Sequence, residues 1–276
     1  MDFDFFKIHG TGNDFIVVDN RKNRYNQWSA KFINNLCCAH TGIGADGLLL
    51  LEESQTADFK MRFYNSDGYE SEMCVNGSRC ISWVAYQLGM IKDTFTFEAG
   101  DGLHRGEVTS LHKVKIEVKV KETEDLRTFP ENFHLPDSIQ YKNFINTGVP
   151  HLVLHCSEIE SIPVAEIGSS LRYHSYYQPE GTNVDFVKLI KDEGTLQLSI
   201  RTYERGVEAE TLSCGSGAAA AALSFFKKNN VDLAKVLVIT NGGSLNIYIS
   251  SHNEELFLEG PVEIIFQGKY LKEDNS

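Results

Sequence analysis

At 276 residues the chain is long enough for two domains of ordinary size, each with its own core. Apolar residues make up 42% and charged residues 23%, and no run approaches the roughly 18 consecutive apolar residues of a membrane span. A net charge of −12 argues against nucleic acid or an anionic membrane surface as a partner. An anionic small molecule stays possible, because helix ends and a single arginine can reverse the sign locally.

The first segment, MDFDFFKIHG, has no basic n-region, so no signal peptide is expected and the protein is expected in the cytoplasm. Residues 3–9 and 14–19 read as two strands around the turn in HGTGNDF, with Asn13 ending the turn at a place that favours its αL tolerance. Residues 29–39 read as a short helix capped by Ser29, and HTGIGADG leads into an apolar strand at 48–52. That glycine loop precedes a strand where a dinucleotide fingerprint would follow one, so no nucleotide cofactor is implied.

Phe59, Met61 and Phe63 then alternate with Lys60, Arg62 and Tyr64 in a strand that runs into a polar loop, Glu72 and Cys74. A helix follows, with Ile81, Val84, Ala85 and Leu88 on one face and Gly89 as its stop. Strands are expected at 94–98, 104–109 and 113–120, the last with Val114, Ile116, Val118 and Val120 on one face. The charged, proline-containing stretch 121–138 suggests a junction, dividing the chain into 1–125 and 126–263, with 264–276 packing back onto the first part.

The second half repeats the style, with strands at 143–147 and 151–156, a helix near 163–173, and strands at 183–190 and 195–203. Glu210 and Cys214 then precede the run Ala218–Leu223, which favours helix and places Cys214 at its start. Strands near 236–240, 245–250, 255–259 and 262–267 close the chain. Short strands around one long helix per half predict an α+β fold of two similar domains, each a curled, mostly antiparallel sheet or barrel around its helix.

The six cysteines match no zinc spacing and are expected as free thiols, with Cys37, Cys38, Cys80 and Cys156 as buried packing residues. Cys74 and Cys214 differ, because each opens a helix in a similar frame. Unpaired N–H groups at such a helix start can hold an anion or stabilise a thiolate. A thiol protease would need a histidine base and no second frame, and a dithiol redox enzyme usually keeps a CxxC. A cofactor-free racemase or epimerase needs two groups, one removing an α-proton and one delivering a proton to the other face. Duplicated frames suit that third reading, and two ordinary buried thiols remain the competing one.

The set HGTGNDF, GIGADG, FYNSDG, EMCVNGSRC, GTNVDFV and RTYERGVEAETLSCGSG, in that order along the chain, resembles the diaminopimelate epimerase family. The resemblance implies a PLP-independent enzyme that needs no cofactor and interconverts L,L- and meso-diaminopimelate in lysine and peptidoglycan biosynthesis. It also implies two pseudo-symmetric domains with the site in the cleft between them, and a homodimer. Carried over by position, Cys74 and Cys214 match the two catalytic thiols, and the N–H groups of Val75, Asn76, Gly215 and Ser216 match a carboxylate cradle. Asn13, Asn65, Asn183 and Arg205 match positions that fix the substrate, Glu204 matches a site carboxylate, and His151 remains in its loop. Two departures stand out: Val75 follows the first thiol where the family usually has glycine, and Val149 stands where it usually has asparagine. An epimerase of the same fold acting on another amino acid is the alternative; proline-type racemases usually carry histidine at the position of Asn76.

Overall fold

The computed structural model describes residues 2–120, 129–130, 133–192, 195–229, 235–250 and 255–271. The expected boundary between residues 125 and 126, and the polar tail after Leu271, lie outside the described residues. The chain divides into two compact units, one formed by residues up to Ile116 with those from Gly260 onward, the other by Glu117–Glu259.

The first unit begins with β1 (Phe3–Gly10) and β2 (Asn13–Asp19), followed by α1 (Ala30–Cys37), β3 (Gly47–Glu52), β4 (Phe59–Asn65) and the short β5 (Glu70–Ser71). Then come α2 (Val75–Gln87), β6 (Thr94–Ala99), β7 (Gly102–Ser110) and β8 (Lys113–Val118). β1 and β2 pair antiparallel through a two-residue turn whose register is Gly10↔Asn13. Such a turn needs positive φ at both central residues. These are Thr11 and Gly12, at φ 54° and 86°, so the left-handed position expected of Asn13 falls on its neighbours and Asn13 opens β2.

β2 and β3 are parallel across the α1 crossover, β3 and β4 antiparallel, and β4 and β6 parallel across α2. This sheet is covered on both faces. Ile33 and Leu36 of α1 pack with Leu48, Leu50 and Tyr64, while Ile81 and Val84 of α2 pack with Leu49, Leu51, Met61 and Phe63. Double cover explains the continuous apolar run in β3, and it buries Tyr64, which the alternation had placed with the polar residues.

Helix α2 is enclosed rather than one-sided. Every residue from Val75 to Ala85 is buried, whereas Leu88, expected on the core face, is an exposed C-cap before Gly89 at φ 70°. The polar residues that blur its periodicity are satisfied locally: Ser78 Oγ donates to Val75 O at 2.9 Å and Ser82 Oγ to Ser78 O at 2.7 Å. Two smaller expectations also shift. β8 stops at Val118 and leaves Val120 exposed, and Cys38 caps α1 in a half-buried position.

The second unit runs through the same order: β9 (Ile139–Asn146), β10 (Pro150–Cys156), α3 (Val164–Arg172), β11 (Asn183–Asp192), β12 (Thr195–Glu204) and β13 (Ala209–Thr211). It continues with α4 (Gly215–Asn229), β14 (Lys235–Thr240), β15 (Gly243–Ser250) and β16 (Glu255–Pro261). Its pairings match as well, with β9–β10 antiparallel, β10–β11 parallel, β11–β12 antiparallel and β12–β14 parallel. α3 covers one face through Ile167 and Leu171. On α4, Ala218 to Ala222 are all 0% exposed, and these small side chains let strands approach the helix closely. The expected α+β class, with one enclosed helix per unit, is what the chain forms. β17 (Glu263–Tyr270) pairs antiparallel with β1.

Candidate active site

Both cysteines sit where a short hairpin delivers the chain to the start of the enclosed helix. Cys74 is the N-cap of α2, with extended backbone, and its Sγ accepts from Gly77 N–H at 3.4 Å. Cys214 stands immediately before α4, and the first helical bonds correspond: Ser78 N–H to Cys74 O at 2.8 Å, and Ala218 N–H to Cys214 O at 3.0 Å. Val75 and Asn76, and Gly215 and Ser216, are therefore the first two residues of their helices, whose N–H groups have no acceptor within the helix.

In the first unit three predicted residues meet. Asn13 Oδ1 accepts from Asn76 Nδ2 at 3.1 Å and lies 3.9 Å from the Cys74 thiol, which donates to it. Asn13 Nδ2 in turn donates to Asp46 Oδ2 at 2.7 Å, so the β1–β2 turn is tied to the Asp46 loop. Beneath them lies a residue that the motif reading passed over. Arg79 is 0% exposed; its guanidinium donates to Asn76 Oδ1 at 3.0 Å, Thr11 Oγ at 3.3 Å and Val75 O at 3.4 Å. Burial lowers its pKa to about 10, and no carboxylate among the described residues pairs with it. Asn65 ends β4 and is exposed, opposite Gly47 in the β3–β4 register. The Val75 side chain is buried.

In the second unit the predicted residues form two groups. Asn183 joins the first: its Nδ2 donates to Pro150 O at 2.9 Å and its Oδ1 accepts from Arg205 N–H at 2.8 Å. The Arg205 guanidinium donates to Glu180 O at 2.9 Å and makes no salt bridge among the described residues. Glu204 Oε2 accepts from Thr211 Oγ at 3.0 Å. Val149 is half-buried in the β9–β10 turn, where its carbonyl accepts from Thr147 N–H at 3.2 Å.

The second group lies behind Cys214. Ser216 Oγ is 3.4 Å from Cys214 Sγ and 3.0 Å from His151 Nε2, and His151 Nδ1 is 2.7 Å from Asp185 Oδ2. Asp185 Oδ1 accepts from Thr202 Oγ at 2.7 Å. Motif reading missed Asp185 and Thr202. The available signal was an acid two places after Asn183 in the apolar strand VDFV, where alternation puts Asn183 and Asp185 on one face. The expectation that a helix start favours the thiolate is reversed at Cys214. Burial pushes this thiol well above its usual value, and the charges of Glu204 and Asp185 add to that, against the hydrogen bonds from Ser216 and Gly217.

Among the described residues no three His, Cys, Asp or Glu side chains converge as a metal site, and no helix is long and apolar enough to cross a membrane. A family model described as Diaminopimelate epimerase matches residues 5–124 and 143–265. The diaminopimelate epimerase of Aquifex aeolicus is 37% identical over 281 residues, covering 98% of this chain and 98% of that protein. That of Flavobacterium psychrophilum is 38% identical over 265 residues, covering 95% and 98%. Among solved structures, a PhzF-family phenazine biosynthesis protein of Bacillus anthracis superposes with a TM-score of 0.73 at 14% identity, over 99% of this chain and 100% of that one. A probable proline racemase from Agrobacterium radiobacter K84 gives 0.70 at 13% identity, over 99% and 94%. At those identities the two structures speak for the fold alone. The family match over most of the length and the near full-length relatives decide the assignment: the chain belongs to the diaminopimelate epimerase family.

Proposed function

We propose that this protein epimerises L,L-diaminopimelate to meso-diaminopimelate without a cofactor, in lysine and peptidoglycan biosynthesis, by moving the α-proton between two thiols. The observation that carries the reading is the recurrence of one arrangement: a cysteine at the start of the enclosed helix in each of two matching units. One of Cys74 and Cys214, as thiolate, removes the α-proton; the other, as thiol, delivers a proton to the opposite face. The substrate's α-carboxylate takes the N–H groups of Val75, Asn76, Gly215 and Ser216, which also stabilise the charge that builds as the C–H bond breaks. Arg205, free of any salt bridge among the described residues, grips the distal carboxylate with Asn183; Asn13 and Asn65 help to fix the substrate, and Glu204 is a carboxylate of the site. The protein acts as a homodimer in the cytoplasm on a small-molecule substrate, as the family resemblance implies.

The test is incubation with L,L-diaminopimelate in deuterated water, following α-deuterium and the isomer ratio together. Cys74→Ala and Cys214→Ala should each abolish inversion while the fold persists. Full epimerisation by either variant would end the two-thiol reading, and no deuterium uptake by the unmodified protein would end the choice of substrate.

A further inference from the structure

The buried side chains behind Cys214 carry more than a supporting role for one histidine. His151 and Asp185 are both 0% exposed, and each ring nitrogen of His151 has one partner. The carboxylate fixes every donor in the row. An ionised Asp185 only accepts, so His151 Nδ1 carries the hydrogen and Nε2 of the neutral ring is left as an acceptor. Ser216 Oγ then donates to Nε2, which leaves its lone pairs for the Cys214 S–H. Thr202 holds the second carboxylate oxygen and so the direction of the whole row.

We propose that Asp185 is a positioning residue that, through His151 and Ser216, lets Cys214 give up its proton and take it back. The step balances with one proton: the S–H bond breaks and an O–H bond forms at Ser216, while the original Ser216 hydrogen passes to His151 Nε2. The products are a Cys214 thiolate and a His151 imidazolium, the latter facing the Asp185 carboxylate at 2.7 Å. Such a relay answers a specific difficulty. Among the described residues of its unit, the charged or titratable groups nearest this thiol are Glu204 from β12, Asp185 from β11 and His151 from β10. The two carboxylates and burial all oppose a thiolate, the hydrogen bonds from Ser216 and Gly217 oppose them only in part, and the imidazolium adds a positive charge behind Ser216.

The inference rests on Cys214 being one of the two proton-transfer groups, and its test has a readout besides turnover. The pH dependence of iodoacetamide alkylation at Cys214, followed by peptide mass spectrometry on the full chain, reports its thiolate fraction. Asp185→Asn separates two roles by sign. A carboxylate that acts only as a nearby negative charge opposes the thiolate, so removing it should lower the midpoint. A carboxylate that supports the imidazolium favours the thiolate, so removing it should raise the midpoint. We expect a rise of about one pH unit, read as roughly tenfold slower alkylation below the midpoint. The alkaline-shifted limb should appear in the epimerase pH profile as well.

His151→Gln supplies a second arm, since it keeps both hydrogen-bonding ends and cannot take a proton. It should raise the midpoint too, and combining it with Asp185→Asn should add nothing further. A lowered or unmoved midpoint in Asp185→Asn, or an unmoved one in His151→Gln, overturns the relay. Cys214→Ala separates the two failures: inactivity there with an unmoved midpoint in the others removes only the relay, whereas full activity removes the two-thiol reading beneath it.

Discussion

Gly77 and Gly217 hold the same place, third residue of the enclosed helix in each unit, yet the space beside them differs sharply. A methyl at Gly77 would sit 3.3 Å from Leu49 Cδ2 and 3.4 Å from Cys74 Cβ, close to ordinary contact with a flexible side chain. At Gly217 it would sit 2.5 Å from Asp185 Oδ1 and 3.3 Å from Thr202 Oγ. Asp185 has nowhere to go, because both carboxylate oxygens are bonded and the residue is 0% exposed. Helix propensity alone favours alanine at either site by up to about 1 kcal/mol. For Gly77→Ala that gain survives mostly intact, so the variant should be neutral to slightly stabilised. For Gly217→Ala, relieving an overlap of nearly an ångström costs about 1–3 kcal/mol or more, which reverses the sign. The propensity gain is common to both, so the two variants should differ by the overlap cost, about 1–3 kcal/mol, or roughly 2–12 °C in Tm for a chain of this size. Thermal unfolding followed by circular dichroism reads the difference. A Gly217→Ala protein that melts at or above the unmodified chain would refute the packing argument.

Arg79→Met removes a fully buried cation that has no carboxylate partner among the described residues, so the lost hydrogen bonds and the relieved desolvation should nearly cancel in Tm. Activity should instead fall at least about tenfold, since Arg79 holds the Asn76 that orders Asn13 beside Cys74; retained activity would show that this support is dispensable. Burial also pushes the thiols of Cys37 to about 12 and Cys156 to about 11, from 9.0. Above pH 9 the unfolded chain loses these protons first, so it is favoured there, and stability should fall with rising pH by up to about 1.4 kcal/mol per pH unit for each thiol. Urea unfolding at pH 8.5, 9.5 and 10.5 should show that slope, and the double variant Cys37→Ala/Cys156→Ala should make it shallower, the buried Cys80 and Cys214 thiols keeping their share; an unaltered slope would place the effect elsewhere.

Local patterns carried much of the fold. Lys113 to Val118 alternates strictly because β8 has one wet face, and its strand was legible to within two residues. Cys74 and Cys214 were legible as helix openers for the same reason: a polar loop, a small residue and then helix-forming composition is a signal confined to a few neighbours. What failed depended on partners far away in sequence. No periodicity announces that α2 is wrapped on every side, because Ser78 and Ser82 are satisfied inside, Arg79 is buried on its own acceptors, and all three look from sequence like a solvent face. Alternation could put Asp185 and Asn183 on one face of β11. Only the parallel register with β10, which sets His151 against Asn183 and Val153 against Asp185, shows that the acid meets a histidine. The strands β5 and β13, two and three residues long, are too short for any pattern to mark.

The pairing of β17 with β1 has a consequence for the order in which the protein can be made. Phe3 meets Tyr270 and Phe5 meets Gly268, so a strand made early waits for one made about 260 residues later. The second unit is continuous in sequence, from Glu117 to Glu259, and all its strands exist before β17 is translated. The first unit is interrupted by it and keeps one edge of β1 unpaired until β17 has been made. An open edge beside aromatic side chains such as Phe3 and Phe5 is the kind of surface on which nascent chains join one another. Of the two units, the one begun earlier is thus completed later, and the aggregation hazard during biosynthesis is concentrated at β1.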